Sequence, residues 1–285
     1  MADVKKPAAQ KKASAGFQGV RNAIWIICAM FVIAVCIYKF VLGDPANFVG
    51  GDPEGEVLNG NMLGTIYKGG VVVPVLITLI LTVLCLSIER MLAQRTAFGK
   101  MATTKFVVEI KAALKQNDFA KAQDLCKKQS GTIANVVGAS LKMYEEMEKD
   151  SNLKKAQKIA KIQQAHEEAV QLEMPTLQMN MPMLATLVTL GTLTALFGTV
   201  TGMIKSFAAL ASGGGGDSVA LSTGISEALI NTALGILTSW LAVISYNFFS
   251  NRIDKLTYAL DEVGYTIAQT YEANHDEAYF LLLTL

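Results

Sequence analysis

The sequence predicts an all-α, polytopic membrane protein with four transmembrane helices. Three observations carry that prediction. Hydrophobic residues make up 52% of the 285 residues and charged ones only 17%, against about 25% charged in a typical soluble domain. Four segments are apolar over close to the 20 or so residues that cross about 30 Å of hydrocarbon. The longest polar stretch, 89–182, has no run of alternating β-branched residues and is rich in Ala, Lys, Glu and Gln, all good helix formers. Such an apolar chain hides its excess in lipid, which argues against a soluble cytosolic enzyme. Lys+Arg (25) and Asp+Glu (24) leave a formal charge of +1, which gives no reason to expect a nucleic-acid partner.

Taken in order, residues 1–22 form a basic N-terminus. The first span is Ala23–Leu42, with Trp25 and Tyr38 near its ends, where aromatic rings favour the interface. Lys39 lies in its last turn and can extend toward water. The basic start suits a signal peptide, but the apolar core of about 20 residues exceeds the usual 7–15, so an uncleaved anchor is expected. Residues 43–70, with Asp44, Asp52, Glu54, Glu56 and several glycines, connect it to the second span, Val71–Ile88, closed by Glu89–Arg90. The third span covers about 183–211 and the fourth about 221–249. Gly213–Gly216 read as a flexible hairpin loop between them.

Lys and Arg set the orientation. Residues 1–22, 89–182 and 250–285 together hold 22 of them, while 43–70 holds Lys68 alone and 212–220 none. Lys39 and Lys205 lie inside spans near the sparse side. By the positive-inside rule both termini and 89–182 are cytoplasmic, and 43–70 faces out.

The cytoplasmic part reads as a helical bundle. Phe106, Ile110, Ala113 and Leu114 recur at helical spacing. Asn117–Asp118 offers a cap for a helix over Phe119–Gln129 that Gly131 closes. A further helix spans about Ile133–Lys149, and Ser151 can cap another that meets Pro175 and Pro182, where a bend is expected. Beyond span four, Ile253, Leu256, Leu260, Val263 and Ile267 line one helix face. Helical structure is expected to residue 270, with a tail at 271–285.

No catalytic, cofactor or metal site is expected. Cys28, Cys36, Cys85 and Cys126 form no C-x-x-C pair. No H-E-x-x-H, G-x-S-x-G or Walker A pattern occurs. Ser151–Lys154 matches S-x-x-K without its companion motifs, so a helix cap explains it better.

The unusual chemistry lies inside spans three and four. Thr192, Thr199 and Ser206 are seven apart and fall within about 40° of one line on a helix. Glu227, Asn231 and Thr238 share a face of span four, with Thr232 beside it. Gly191, Gly198, Gly202, Ala228, Ala233 and Gly235 let two helices approach closely. Glu227 is the only acid well inside a span, roughly 9 Å from its outer end at about 1.5 Å per residue. An ionised carboxylate there costs about 2.5–3.5 kcal/mol on insertion scales, and taking up a proton removes that cost. Hydroxyls and an amide beside such an acid suit a proton relay. They equally suit polar glue between helices, since Thr and Ser often bond back to their own backbone.

These residues also carry a family resemblance. LFGTVTGMIKSF at Leu196–Phe207 resembles the LGLLGTVxGMIxxF signature of the ExbB/TolQ/MotA proton-channel family, and GISEALINTALG at Gly224–Gly235 resembles its GIAEALxxTAxGL signature. Tyr246–Asn247 and Ser87–Arg90 also fit, and the likeness covers about 70–270, nearest to the ExbB branch. The resemblance implies an ExbB-like core of three spans (71–88, 183–211 and 221–249) with helices at 89–182 and 250–270. Span one and residues 43–70 are additional to it, and where the family often has a proline this chain reads Leu190–Leu193.

In function it implies an inner-membrane stator subunit, five copies around a dimer of a single-span ExbD-like partner. Proton flow would then drive a TonB-like protein that opens outer-membrane transporters. The resemblance makes Thr199 and Thr232 pore threonines and Glu227 the intramembrane acid; the helix faces they share add Thr192 and Asn231 to the expected path. The partner's own aspartate would be the main proton carrier. TolQ-like and gliding-type stators, and a non-conducting scaffold, are the alternatives.

Overall fold

A computed structural model describes residues 23–53, 55–212 and 218–275. Glu54 and the Gly213–Gly216 run lie outside the described residues, as do 1–22 and 276–285. The described chain is helical, with an isolated bridge between Phe48 and Val57 and no strand. Four helical stretches are long and apolar enough to cross a membrane: Ile24–Leu42, Val72–Lys115, Lys155–Ala211 and Ser218–Asn274. Each contains one predicted span. Two compact units divide the chain.

The apolar unit comprises described residues of Val20–Arg90 and Met179–Asn251. Helix α1 (Ala23–Cys36) passes into a wider π-wound segment at Ile37–Leu42. The sequence predicts one regular helix here. Nδ2 of Asn47 donates to the carbonyls of Val41 (2.8 Å) and Leu42 (3.0 Å), which gives partners to groups that a helix end leaves orphaned. Tyr38 stacks on Tyr67 with ring centroids 4.7 Å apart.

The 43–70 connection carries more structure than its glycines suggest. Asp44 caps the 3₁₀ turn Pro45–Asn47, and Asn61 accepts from the Leu63 and Gly64 amides to start α2 (Met62–Tyr67). Phe48 is buried with its ring edge on Tyr67.

Helix α3 (Val72–Phe98) runs on without a break past the Glu89–Arg90 pair that ends the apolar stretch. Both side chains are buried and satisfy each other, Arg90 Nε donating to Glu89 Oε2 at 2.6 Å and Nη2 to Oε1. Asn180 Nδ2 adds a third donor to Glu89 at 3.3 Å. A neutralised pair costs the helix far less than two separate charges, so nothing stops it there.

The second unit comprises described residues of Met91–Gln178 and 252–275. Helices α4 (Thr103–Lys115), α5 (Phe119–Gln129), α6 (Gly131–Lys149) and α7 (Lys155–Gln178) pack in sequence, each on the next. Asp118 caps α5 as expected, accepting from the Lys121 amide at 2.9 Å. Phe106, Ile110, Ala113 and Leu114 are fully buried, as are Leu256, Leu260, Val263 and Ile267, with Ile253 nearly so.

One local expectation fails. Ser151 caps nothing: α7 begins at Lys155, after a turn in which Asp150 accepts from the Asn152 amide. Pro175 sits within α7, and the bend expected before the third span comes at Asn180 (φ 63°), between the two prolines. Pro182 then falls in the first turn of α8 (Met181–Ser212), where its missing amide costs nothing. Helix α9 (Ser218–Asn274) runs four residues beyond the expected limit of 270 and contributes to both units.

Candidate functional site: a polar ladder between two apolar helices

Residues 181–212 and 218–251 contain one basic residue, Lys205, and one acidic residue, Glu227. The fold brings these two together. Lys205 Nζ donates to both Glu227 oxygens, at 2.7 and 2.9 Å. The lysine side chain is 57% exposed and the glutamate 7%. Lys205 has no place in the sequence-based site. Its signal was available, since a lone cation and a lone acid lay at similar distances from the turn joining consecutive spans.

Further along, Thr199 and Thr232 face each other with hydroxyl oxygens 2.6 Å apart. Each hydroxyl also reaches a carbonyl of its own helix at 3.0 Å, Thr199 that of Ala195 and Thr232 that of Ala228. Thr192 pairs with Ser239 at 2.9 Å. Residue numbers rise on α8 as they fall on α9, so the helices run antiparallel. The three polar contacts are rungs separated by about 9–10 Å along α8, from six- and seven-residue spacings at about 1.5 Å each. The charged rung lies at the end nearest the interhelical turn.

Small residues make this approach possible. A Cβ on Gly198 would fall 2.6 Å from Cβ of Asn231, and one on Gly202 would fall 2.8 Å from the Gly224 carbonyl. Without side chains there the two backbones come close enough for short hydroxyls to meet.

Asn231 has a different role from the threonines. It is fully buried, and its Nδ2 donates 3.0 Å to the Gly69 carbonyl, just before α3. Its Oδ1 has no hydrogen-bond partner among the described residues. Gly70 (φ 77°) lies against the Glu227 carboxylate, so that any Cβ there would collide with it. The acid is therefore enclosed by α8, α9 and the Gly69–Gly70 turn. The sequence-predicted residues thus fall into four separate groups, three of them Glu227 with Lys205, Asn231 with Gly69, and Thr199 with Thr232. Thr192 stands on a rung of its own, with Ser239.

The geometry shows two tightly spaced helices with polar chemistry along their seam. Residues 132–262 match the model of the MotA/TolQ/ExbB proton channel family. Through this stretch the chain is similar to that proton channel family. The polar seam falls wholly within the matched residues.

Among curated relatives, a Tol-Pal system protein TolQ of Pseudomonas aeruginosa is 37% identical over 107 residues, 37% of this chain and 44% of the relative. TolQ of Haemophilus influenzae is 35% identical over 88 residues, 31% of this chain and 39% of the relative. A biopolymer transport protein ExbB of Salmonella typhimurium is 35% identical over 81 residues, 28% of this chain and 33% of the relative. The match spans less than half the length of each of these relatives. TolQ and ExbB match at near-equal identity, so the shared proton-channel core, and not one branch, is what they support.

Proposed function

We propose that this chain is a non-enzymatic inner-membrane subunit of a bacterial stator that couples proton flow to mechanical work on the cell envelope. The seam between α8 and α9 carries this reading. It places hydroxyl pairs, a buried acid and the unpartnered Asn231 Oδ1 along a single helix pair. A buried acceptor without a partner calls for an ordered water, and hydroxyls within 3 Å can relay a proton through it. Intramembrane ionisable residues mark ion paths by default.

The unit works as a homo-oligomer, a pentamer on the family pattern, around a dimer of an ExbD-like single-span partner. It lies in the inner membrane with both termini cytoplasmic, and it drives a TonB-like protein for outer-membrane transport. The TolQ relatives favour a second reading, in which the same machine serves a Tol-Pal-type system.

The test is proton flux into proteoliposomes holding this chain co-purified with an ExbD-like partner, under an imposed gradient. Wild type is expected to conduct, and Glu227→Gln and Thr199→Ala to lose about 10²-fold or more in flux with unchanged size-exclusion profiles, in line with the 10²–10⁴ typical of proton-transfer groups. Loss of assembly in step with loss of flux would instead identify the seam as glue, and the protein as a scaffold.

A further inference from the structure

The charge pair at the end of the ladder has a consequence for how the path is held closed. Glu227 is buried, both its oxygens accept from one ammonium, and no other Lys or Arg exists on either helix between 181–212 and 218–251. Of the polar groups around the pair, Asn231 is engaged with the Gly69 carbonyl through its amide nitrogen, and Ser206 with the Leu221 carbonyl. The pair is asymmetric in exposure, the lysine side chain being 57% exposed and the glutamate 7%. Such a long, flexible side chain can swing away without moving either backbone.

We propose that Lys205 is a tethered counter-cation that holds Glu227 ionised in the resting protein. Glu227 then accepts a proton only when Lys205 has left for another anion. This rests on the pathway reading for its purpose, but not for its test. Removing one partner of a buried pair leaves an uncompensated charge, and a buried carboxylate in that position neutralises by binding a proton. The Lys205 side chain is 57% exposed even with its Nζ on Glu227, so an acidic group on a neighbouring chain can reach it and draw it off. The ion pair is therefore a latch: closed while Lys205 is on Glu227, open when the cation is taken elsewhere.

Infrared spectroscopy of the full-length protein in lipid at neutral pH reads this directly. Wild type and Lys205→Arg are expected to lack a protonated-carboxyl C=O band from Glu227. Lys205→Met is expected to gain one, and Lys205→Met combined with Glu227→Gln to lose it again. Size-exclusion profiles establish that the compared variants assemble alike, and Lys205→Gln replaces Lys205→Met if the latter does not. No carboxyl band in the lysine-free variants, or the same band already in wild type, would overturn the proposal. The pathway reading fails separately: a band that appears as expected, with no proton flux in any variant, would keep the counter-cation and discard the channel.

Discussion

His166 on α7 is enclosed by Ser140 of α6 and Gly264 of α9. Ser140 Oγ lies 2.9 Å from its Nδ1, and Nε2 has no partner among the described residues. A Cβ on Gly264 would run into the ring, so the glycine makes the space the imidazole occupies. Burial pushes its protonation below the ordinary 6.5, with Asp261 and Glu167 acting weakly in the opposite sense. A histidine that charges less readily when folded contributes stability that is complete above the unfolded value. That stability is lost as pH falls through 6.5 toward the folded value. Thermal unfolding in detergent should therefore show a transition temperature that drops between pH 7.5 and pH 5.5, and His166→Gln should flatten that slope whatever its effect at pH 7.5. Cys126 gives a second check within the same unit. Burial pushes its thiol up to about 12, so the thiolate is scarce at neutral pH. Maleimide should label Cys126 only in denaturant, and rapid labelling of the native protein would contradict the packing around α5.

At the scale of elements, the α3–α4 connection depends on one side chain. Gln129 is fully buried at the end of α5, where Nε2 donates to the carbonyls of Phe98 (2.8 Å) and Met101 (3.1 Å). Its Oε1 accepts from the Met101 amide at 2.9 Å. Gln129→Ala leaves three backbone groups short of a partner, which should cost about 2 kcal/mol or more at roughly 1–3 kcal/mol per buried unsatisfied group. Chemical denaturation of the purified protein would measure that loss.

Elements like these differ in how far the sequence betrays them. Helix α5 was legible to the residue because its cap and its first turn are neighbours in the chain, Asp118 bonding Lys121. The mutual burial of Glu89 and Arg90 beside Asn180 was not, because that contact joins residues 91 apart in the chain. The π-wound end of the first span depends on Asn47, which reaches back to carbonyls five and six residues earlier. At the site, the threonine and glutamate positions followed from periodicity and motif. The Lys205 pairing follows from the antiparallel contact of α8 and α9, which periodicity within one helix does not report.

For the whole molecule the decisive quantity is the partition of charge. Twenty-two Lys and Arg fall in 1–22, 89–182 and 250–285, while 43–70 contributes Lys68 alone. Large apolar side chains such as Trp25, Phe40, Phe197, Phe207 and Trp240 are more than half exposed within this chain. In water each would stay hydrated at a cost of about 1.5–3 kcal/mol relative to burial, so lipid or neighbouring copies must cover them. Four crossings would return the chain to its starting side, and the positive-inside rule predicts that this side is the cytoplasm. Single cysteines in a cysteine-free background give the check, one replacing Asp52 and one replacing Lys128, both exposed. In intact cells a membrane-impermeant maleimide should label Asp52→Cys, while Lys128→Cys should react only after the membrane is opened. The reverse pattern would invert the topology and put the Lys205–Glu227 rung, near the α8–α9 turn, at the inner face. Labelling of both in intact cells would mean that one of the four apolar stretches does not cross. The path drawn along α8 and α9 would then need a different entrance.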